Sequence, residues 1–167
     1  MKKIIAILAV VVIGMSAVSN ANAIEPQWSK GTTIVSILGG VDPLYTDLGL
    51  AFGGIGAVDY VLVDSWWKGH FTVGGQIGFE ANKWWKTFSA SPRVTYGLNL
   101  SEKFEVHVGY AAGYIHDFAA SYITLGGFYS YEFVGMHLGL SDNMSFTAQA
   151  GYAAYSPTLT AGISFRF

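Results

Sequence analysis

The histidines and the polar residues beside them are the side chains with the clearest chemical potential in this sequence. His116 is followed by Asp117 and, a few residues later, by Ser121. A histidine, a carboxylate and a hydroxyl are the parts of a Ser-His-Asp hydrolase, in which the histidine takes the proton of the serine. His116, Asp117 and Ser121 are therefore candidate catalytic residues. A lone loop histidine is more often an ordinary polar residue, so the sequence favours a protein that is not an enzyme.

The other three histidines offer less chemistry. His107 and His137 each have a glycine two residues later, and only His70 has a hydroxyl residue at that spacing. Because the four histidines lie in different segments, the sequence predicts no metal site and no cofactor. The absence of cysteine excludes a thiolate ligand, a cysteine nucleophile, a disulfide framework and a lipid-modified N-terminal cysteine.

The first 23 residues have the three parts of a secretory signal peptide. Two lysines precede a continuous apolar run, and the segment ends at Ala21-Asn22-Ala23, an A-x-A cleavage site. A membrane anchor would need about 20 apolar residues. We therefore expect residues 1–23 to be removed and residues 24–167 to form one domain. Without the two lysines the net charge of −2 becomes about −4, and no basic cluster remains to bind nucleic acid.

The rest of the chain is apolar without a long apolar run. Hydrophobic residues make up 51% of the sequence and charged residues only 12%, yet no later stretch approaches the ~18 apolar residues of a membrane helix. Instead, apolar and small or polar residues alternate, as they do from Thr87 to Leu100. Alternation with a period of two predicts strands, because successive side chains leave a strand on opposite faces.

Short polar breaks such as Ser101–Lys103 and Ser141–Asn143 separate these alternating runs and have the length of hairpin turns. The alternation is lost from Tyr129 to Val134, which predicts a bulge in the sixth run or an end that protrudes from the membrane. The predicted strands span residues 31–41, 50–63, 70–80, 87–100, 103–115, 127–140, 143–154 and 157–167.

The less apolar face of these strands distinguishes a membrane barrel from a soluble sandwich or a lipocalin. It carries mainly Gly, Ser, Thr, Gln, Asn and His, with a few single charges. A water-exposed face usually carries many charges of both signs. An eight-stranded barrel in a bilayer turns its large apolar residues outward and small polar residues inward. The predicted fold class is therefore all-β, an eight-stranded antiparallel up-and-down transmembrane β-barrel.

The interior of such a barrel is narrow enough for side chains to fill, whereas an open channel needs ~16–18 strands. Arg93 has Asp59, Glu80 or Glu105 as possible partners, and these charges form either an ion-conducting path or a buried ion-pair network. The cost of an unpaired buried charge favours the network. The predicted lumen network comprises Asp59, Gln76, Glu80, Arg93, Glu105, His107 and Gln149.

Two Trp-Trp-Lys triplets flank the third strand. Gly69 to Phe79, between them, has the ~9–11 residues that a tilted strand needs to cross a bilayer. This spacing predicts an interfacial aromatic belt, while in a soluble protein the same residues would be core anchors or a carbohydrate-binding platform. The belt interpretation also predicts that Gln76 faces the lumen and Ile77 the lipid. Its members are Trp66, Trp67, Trp84 and Trp85.

The end of the chain resembles the C-terminal signal of bacterial outer-membrane β-barrel proteins. Thr160, Gly162, Phe165 and Phe167 occupy its polar, glycine and two hydrophobic positions, and the phrases GYAAGY and GYAAY are similar to the small OmpA- and OmpX-like barrels. The resemblance implies a location in the bacterial outer membrane, contact with its lipid and lipopolysaccharide, and insertion by the barrel-assembly machinery. It also implies that the turns at residues 101–103 and 141–143 are periplasmic. We expect a monomer.

Three functions are compatible with such a barrel. A structural or surface-associated role is favoured. The outer loop of residues 116–125 is the longest and is followed by aromatic residues, so partner binding or adhesion through it is the alternative. Some barrels of this group are lipid A deacylases with a histidine and a serine two residues apart near the outer leaflet. A lipid A deacylase-like hydrolase is the weakest hypothesis, because only His116 lies near the expected position.

Overall fold

The computed structural model describes residues 28–43, 50–67, 69–118, 126–152 and 157–167. The signal peptide predicted at residues 1–23 and the candidate nucleophile Ser121 lie outside these ranges, as do most residues of the predicted loops at 41–48 and 116–125. Within the described ranges, no helix has the length and apolar character needed to cross a bilayer.

Eight antiparallel strands form a closed barrel, which confirms the predicted fold class. Each strand pairs with its neighbours along the chain, and β1 pairs with β8 to close the cylinder. The backbones of Thr33 and Phe167 exchange two hydrogen bonds at this seam, of 3.0 and 2.9 Å. The strand bounds differ from the predicted ones by at most three residues. The strands are β1 (Thr33–Asp42), β2 (Ala51–Trp66), β3 (Gly69–Ala81), β4 (Lys86–Ser101), β5 (Phe104–Asp117), β6 (Gly126–Ser141), β7 (Met144–Tyr152) and β8 (Leu159–Arg166).

The connections between strands divide into two sets. The short connections lie at the end of the barrel where β1 begins and β8 finishes, which we call the turn end. They are the two-residue turns at 102–103 and 142–143 and the connection at 67–68. The longer connections at 43–50, 82–85, 118–125 and 153–158 lie at the opposite end, the loop end. Short turns fix the pairing register of a hairpin, and a slip of one residue would turn every side chain to the other face.

The two faces of the sheet differ as the alternation predicts. Gln76 lies on the inner face and is 5% exposed, while the next residue, Ile77, is 54% exposed on the outer face. Both positions agree with the prediction. On β4 the inward side chains from Thr87 to Asn99 are buried, and exposed or half-exposed residues lie between them.

β6 carries large aromatic side chains on its inner face, although it contains no bulge at these residues. Its pairing with β5 runs without a register shift from His116–Gly126 to Phe104–Leu138, so the predicted bulge between residues 129 and 134 was wrong. The pattern changes because Tyr129, Tyr131 and Phe133 point inward and are buried, while Glu132 is exposed on the outer face. The expectation of a purely small and polar lumen was wrong at this strand.

Two glycines make room for these inward rings. A Cβ atom on Gly109 would lie 2.1 Å from the ring of Phe133, and one on Gly151 would lie 2.3 Å from the ring of Tyr131. The two rings stack with their centroids 5.4 Å apart. The aromatic layer therefore depends on missing side chains on β5 and β7, the two strands beside β6.

Substitution of these glycines tests the packing. We expect Gly109→Ala and Gly151→Ala each to lower the free energy of unfolding by about 1–3 kcal/mol, because the added methyl group displaces a packed ring. Gly39→Ala is the matched control, since nothing lies within 4 Å of the added Cβ. In this control the free energy should stay equal or rise by up to about 1 kcal/mol. Urea unfolding of the detergent-folded protein measures the difference, and equal losses in all three variants would contradict the packing argument.

Candidate functional site

All seven residues predicted for the lumen network lie on the inner face of the barrel, and none is more than 5% exposed. They do not form one network. They fall into three groups along the barrel axis, each with further side chains that complete it. The groups are a central one around Arg93, one at the loop end around Glu80, and one at the turn end around Glu105.

The central group is an ion pair with hydrogen-bonding and aromatic neighbours. Arg93 Nε lies 3.0 Å from Asp59 Oδ1, and Arg93 Nη1 donates to Gln76 Oε1 at 3.3 Å. The guanidinium also stacks over the ring of Phe133, 4.6 Å from its centroid. Of the three carboxylates that could have paired with Arg93, the structure selects Asp59.

The register explains this choice. Gly74 on β3 pairs with Asp59 on β2 and with Arg93 on β4, so only a glycine separates the two charged residues across the sheet. A Cβ atom on Gly74 would lie 2.7 Å from Asp59 Oδ1. The missing side chain lets two charges meet across an intervening strand.

The group at the loop end includes Trp85, which was predicted to belong to the aromatic belt. Trp85 is only 7% exposed, and its indole Nε1 donates to Glu80 Oε1 at 3.4 Å. Asn82 Oδ1 accepts hydrogen bonds from the backbone nitrogens of Trp84 and Trp85, at 2.7 and 2.9 Å. This tight turn directs the two indoles apart, so Trp84 is 61% exposed and Trp85 is a lumen residue.

The other predicted belt residues lie on the outside at the turn end. Trp66 is 54% and Trp67 81% exposed. Trp66 packs edge-on against Phe71 and Tyr96, with ring centroids 6.1 and 6.0 Å apart. The hydroxyl of Tyr96 donates to the backbone oxygens of Trp66 and Trp67 at 3.1 and 3.0 Å, which fixes the end of β2.

The group at the turn end gathers three histidines around one carboxylate. Glu105 Oε1 lies 3.6 Å from His107 Nδ1 and 4.0 Å from His137 Nε2. Glu105 Oε2 lies 3.7 Å from His70 Nε2. All four side chains are buried. The argument that histidines in different segments stay apart was therefore wrong, because β3, β5 and β6 bring them to one depth.

The sequence did contain a signal for this convergence. Each of the three histidines has inward parity and lies within a few residues of a connection at the turn end. His70 follows the connection at 67–68, His107 follows the turn at 102–103, and His137 precedes the turn at 142–143. Distance from the nearest short turn, taken together with parity, predicts the depth of a side chain.

Two of the three candidate catalytic residues, His116 and Asp117, point to opposite faces of β5. Asp117 points inward and is 6% exposed, whereas His116 leaves the other face of β5 and packs edge-on against Phe118, with centroids 4.6 Å apart. Adjacent residues of a strand point in opposite directions. His116 and Asp117 therefore do not form the pair that a Ser-His-Asp mechanism needs.

The residues of the C-terminal signal lie along the closing seam. Thr160 is buried in the lumen, and Gly162 pairs with Leu38 of β1. Phe165 and Phe167 lie on the outer face, 37% and 77% exposed. Their recognition during assembly stays a prediction.

Comparison with known proteins concerns the fold. No protein-family model matches the sequence, and a search of curated proteins gave no match. Among solved structures, the outer membrane protein OprG of Pseudomonas aeruginosa is 13% identical, with 86% of this chain and 99% of that chain covered and a TM-score of 0.57. The N-terminal β-barrel domain of Pseudomonas aeruginosa OprF is 13% identical (83% and 98% covered, TM-score 0.55). Yersinia pestis Ail is 14% identical (83% and 100% covered, TM-score 0.53). The chain therefore has the fold of the small eight-stranded outer-membrane barrels.

The central ion pair gives a stability prediction. Asp59→Leu leaves the Arg93 charge buried without its carboxylate, and we expect it to lower the free energy of unfolding by about 3–5 kcal/mol. The double variant Asp59→Leu with Arg93→Met removes both charges and should recover most of that loss. Glu102→Ala, in an exposed turn, is the control and should have little effect. Additive losses in the double variant would show that the two side chains do not act as a pair.

Proposed function

We propose that this protein is an integral protein of the bacterial outer membrane with a closed lumen, and that its role is structural or surface-associated. The observation that carries the proposal is the outer surface, because every strand exposes at least one large apolar side chain on it. Water would make such a surface costly, while a bilayer accommodates it. The exposed residues include Ile37, Phe52, Ile77, Phe88, Tyr110, Leu138, Tyr152 and Leu159.

The aromatic side chains at both ends support a membrane position. Trp66 and Trp67 are exposed at the turn end, and Trp84 is exposed at the loop end with Lys83 Nζ 4.9 Å from its ring centroid. Indoles settle at the boundary between hydrocarbon and headgroups, and lysines reach toward the headgroups. Three tryptophans on the outer surface therefore fit the two edges of a bilayer.

The contents of the lumen support the absence of a channel. The stacked rings of Tyr131 and Phe133 and the Arg93 ion pair occupy the centre of the barrel. Trp28, 2% exposed, packs edge-on against His137 near the turn end. Tyr131 donates to the backbone oxygen of Pro157 at 3.4 Å toward the loop end. Paired charges and packed rings in these positions support a filled lumen over an open channel.

Binding of a surface partner is the second candidate. Phe118 and Phe128, on either side of the loop at the end of β5, are 58% and 81% exposed. Exposed aromatic residues are frequent in protein interfaces. Replacement of both by serine should reduce adhesion to host cells or to an envelope partner without changing the amount of folded barrel. A lipid A-modifying hydrolase has less support, because His116 and Asp117 lie on opposite faces.

The membrane position predicts a depth-dependent effect of charge. Ile77→Arg, near the middle of β3, should lower the free energy of folding into lipid vesicles by about 2–4 kcal/mol, whereas Phe128→Arg near the loop end should cost about 0–1 kcal/mol. Urea titration in vesicles measures both values, and cell fractionation measures the outer-membrane content. A protein that folds in water without lipid or detergent would overturn the proposal.

The closed lumen predicts that the folded protein gives no discrete current steps in planar bilayers. The triple variant Arg93→Gly, Tyr131→Gly and Phe133→Gly removes the central filling and, where heat-modifiable migration shows that it is folded, should give small steps. Discrete steps from the unaltered protein would contradict the closed lumen while leaving the barrel and its location intact.

A further inference from the structure

We propose that Glu105, His107 and His137 bind one divalent transition-metal ion of the zinc class inside the barrel. This inference is independent of the role proposed above, since it rests only on side chains in the lumen. One carboxylate oxygen of Glu105 and one ring nitrogen from each of the two histidines lie within 4.8 Å of one another.

The distances between these atoms suit a shared ion. Zinc binds histidine nitrogen and carboxylate oxygen at about 2.0–2.2 Å, and in its tetrahedral sites two ligands lie roughly 3.4 Å apart. Glu105 Oε1 lies 3.6 Å from His107 Nδ1, close to that separation, and 4.0 Å from His137 Nε2. These contacts are too long for hydrogen bonds. The carboxylate and the two imidazoles therefore face a common space and form no hydrogen bonds with each other. A movement of the His137 ring by about half an ångström would complete the tetrahedral spacing.

The buried polar atoms of the site lack other partners. Neither oxygen of Glu105 has a hydrogen-bond partner among the described residues, and the same holds for His107 Nδ1. The indole Nε1 of Trp28 lies near Glu105 but does not form a hydrogen bond of ordinary geometry. Glu105 is 1% and His107 2% exposed. An isolated carboxylate is costly to bury, and a cation between Glu105 and the two histidines would remove that cost.

The two histidines are held by groups outside the site. His137 Nδ1 is 2.7 Å from Thr147 Oγ1, which lies 2.6 Å from Ser164 Oγ, so the opposite nitrogen, Nε2, is directed at Glu105. His107 Nε2 lies 3.3 Å from the Gln149 amide, whose oxygen has no other partner and would accept from Nε2–H after rotation of the amide. Such outer contacts are typical of metal-binding histidines, because they fix the tautomer and the ring.

The backbone leaves room for these side chains. A Cβ atom on Gly97 would lie 2.4 Å from His70 Cε1 and 2.7 Å from Glu105 Oε1, and one on Gly135 would lie 2.4 Å from His107 Nε2. Glycines on β4 and β6 thus form the walls of the site. His70 Nε2, 3.7 Å from Glu105 Oε2, positions the second carboxylate oxygen.

The donor set selects the class of metal. Calcium and magnesium prefer oxygen ligands alone, whereas imidazole suits zinc, nickel, copper and iron. Glu105, His107 and His137 are all buried, so the ion would join β5 to β6 and stabilise the barrel. Because these side chains are buried, the ion would enter as the barrel folds, and its binding free energy would add to the folding free energy.

The test is refolding in detergent with and without one equivalent of Co²⁺, a spectroscopic substitute for zinc, followed by gel filtration. We expect one ion per barrel, a cobalt absorption spectrum of a low-coordinate site, its displacement by Zn²⁺, and a higher urea midpoint than for protein refolded without metal. Glu105→Gln and His137→Gln should lose the ion. His70→Gln should weaken binding about 10–100-fold.

His116→Ala is the matched control, since His116 lies on the outer face of β5 and should leave the bound ion unchanged. Each variant is first shown to be folded by heat-modifiable migration, and His107→Gln replaces any ligand variant that fails this check. Equal metal content in the unaltered protein, Glu105→Gln and His116→Ala would overturn the site. So would an unaltered barrel that holds no ion after refolding with metal.

Discussion

A buried polar side chain inside an eight-stranded barrel finds few partners on its own strand, because adjacent residues of a strand point outward, and burial without a partner is costly. Arg93 meets Asp59 across Gly74, two strands away. A chain of hydroxyl contacts runs from His137 through Thr147 and Ser164 to Ser36, and so crosses four strands from β6 to β1. The polar interior thereby connects strands that backbone hydrogen bonds join only in pairs.

The barrel itself could be predicted from the sequence because its evidence is local. Alternation defines a strand and its two faces, and the turns at residues 102–103 and 142–143 fix the register of their hairpins. The exceptions depend on contacts between distant residues. Trp85 turns inward because Asn82 bonds the backbone beside it, and Tyr131 fits inside because Gly151 on the next strand has no side chain. Apolar character alone places both on the outside.

The side chains in the lumen show the same division between features that local sequence predicts and features that depend on distant residues. Parity was sufficient to place Arg93 and Glu105 inside, but not to choose between the carboxylates available to Arg93, because that choice rests on an intervening glycine. The three histidines around Glu105 come from three strands, β3, β5 and β6. Their similar position along the barrel axis can be predicted from their distances to the short turns. The distances between their side chains depend on the curvature of the closed sheet, which no single segment of the sequence determines.

The seam between β1 and β8 has a consequence for the order in which the strands can pair. Ser36 and Ser164, 2.7 Å apart across it, are separated by 128 residues of chain, and the backbone bonds of Thr33 require Phe167. β1, the first strand of the sheet, can thus have both of its edges paired only after β8, the last strand, is in place. Pairings of such long range close slowly, and an open sheet edge invites association with other chains. Until the seam forms, the sheet therefore keeps two unpaired edges.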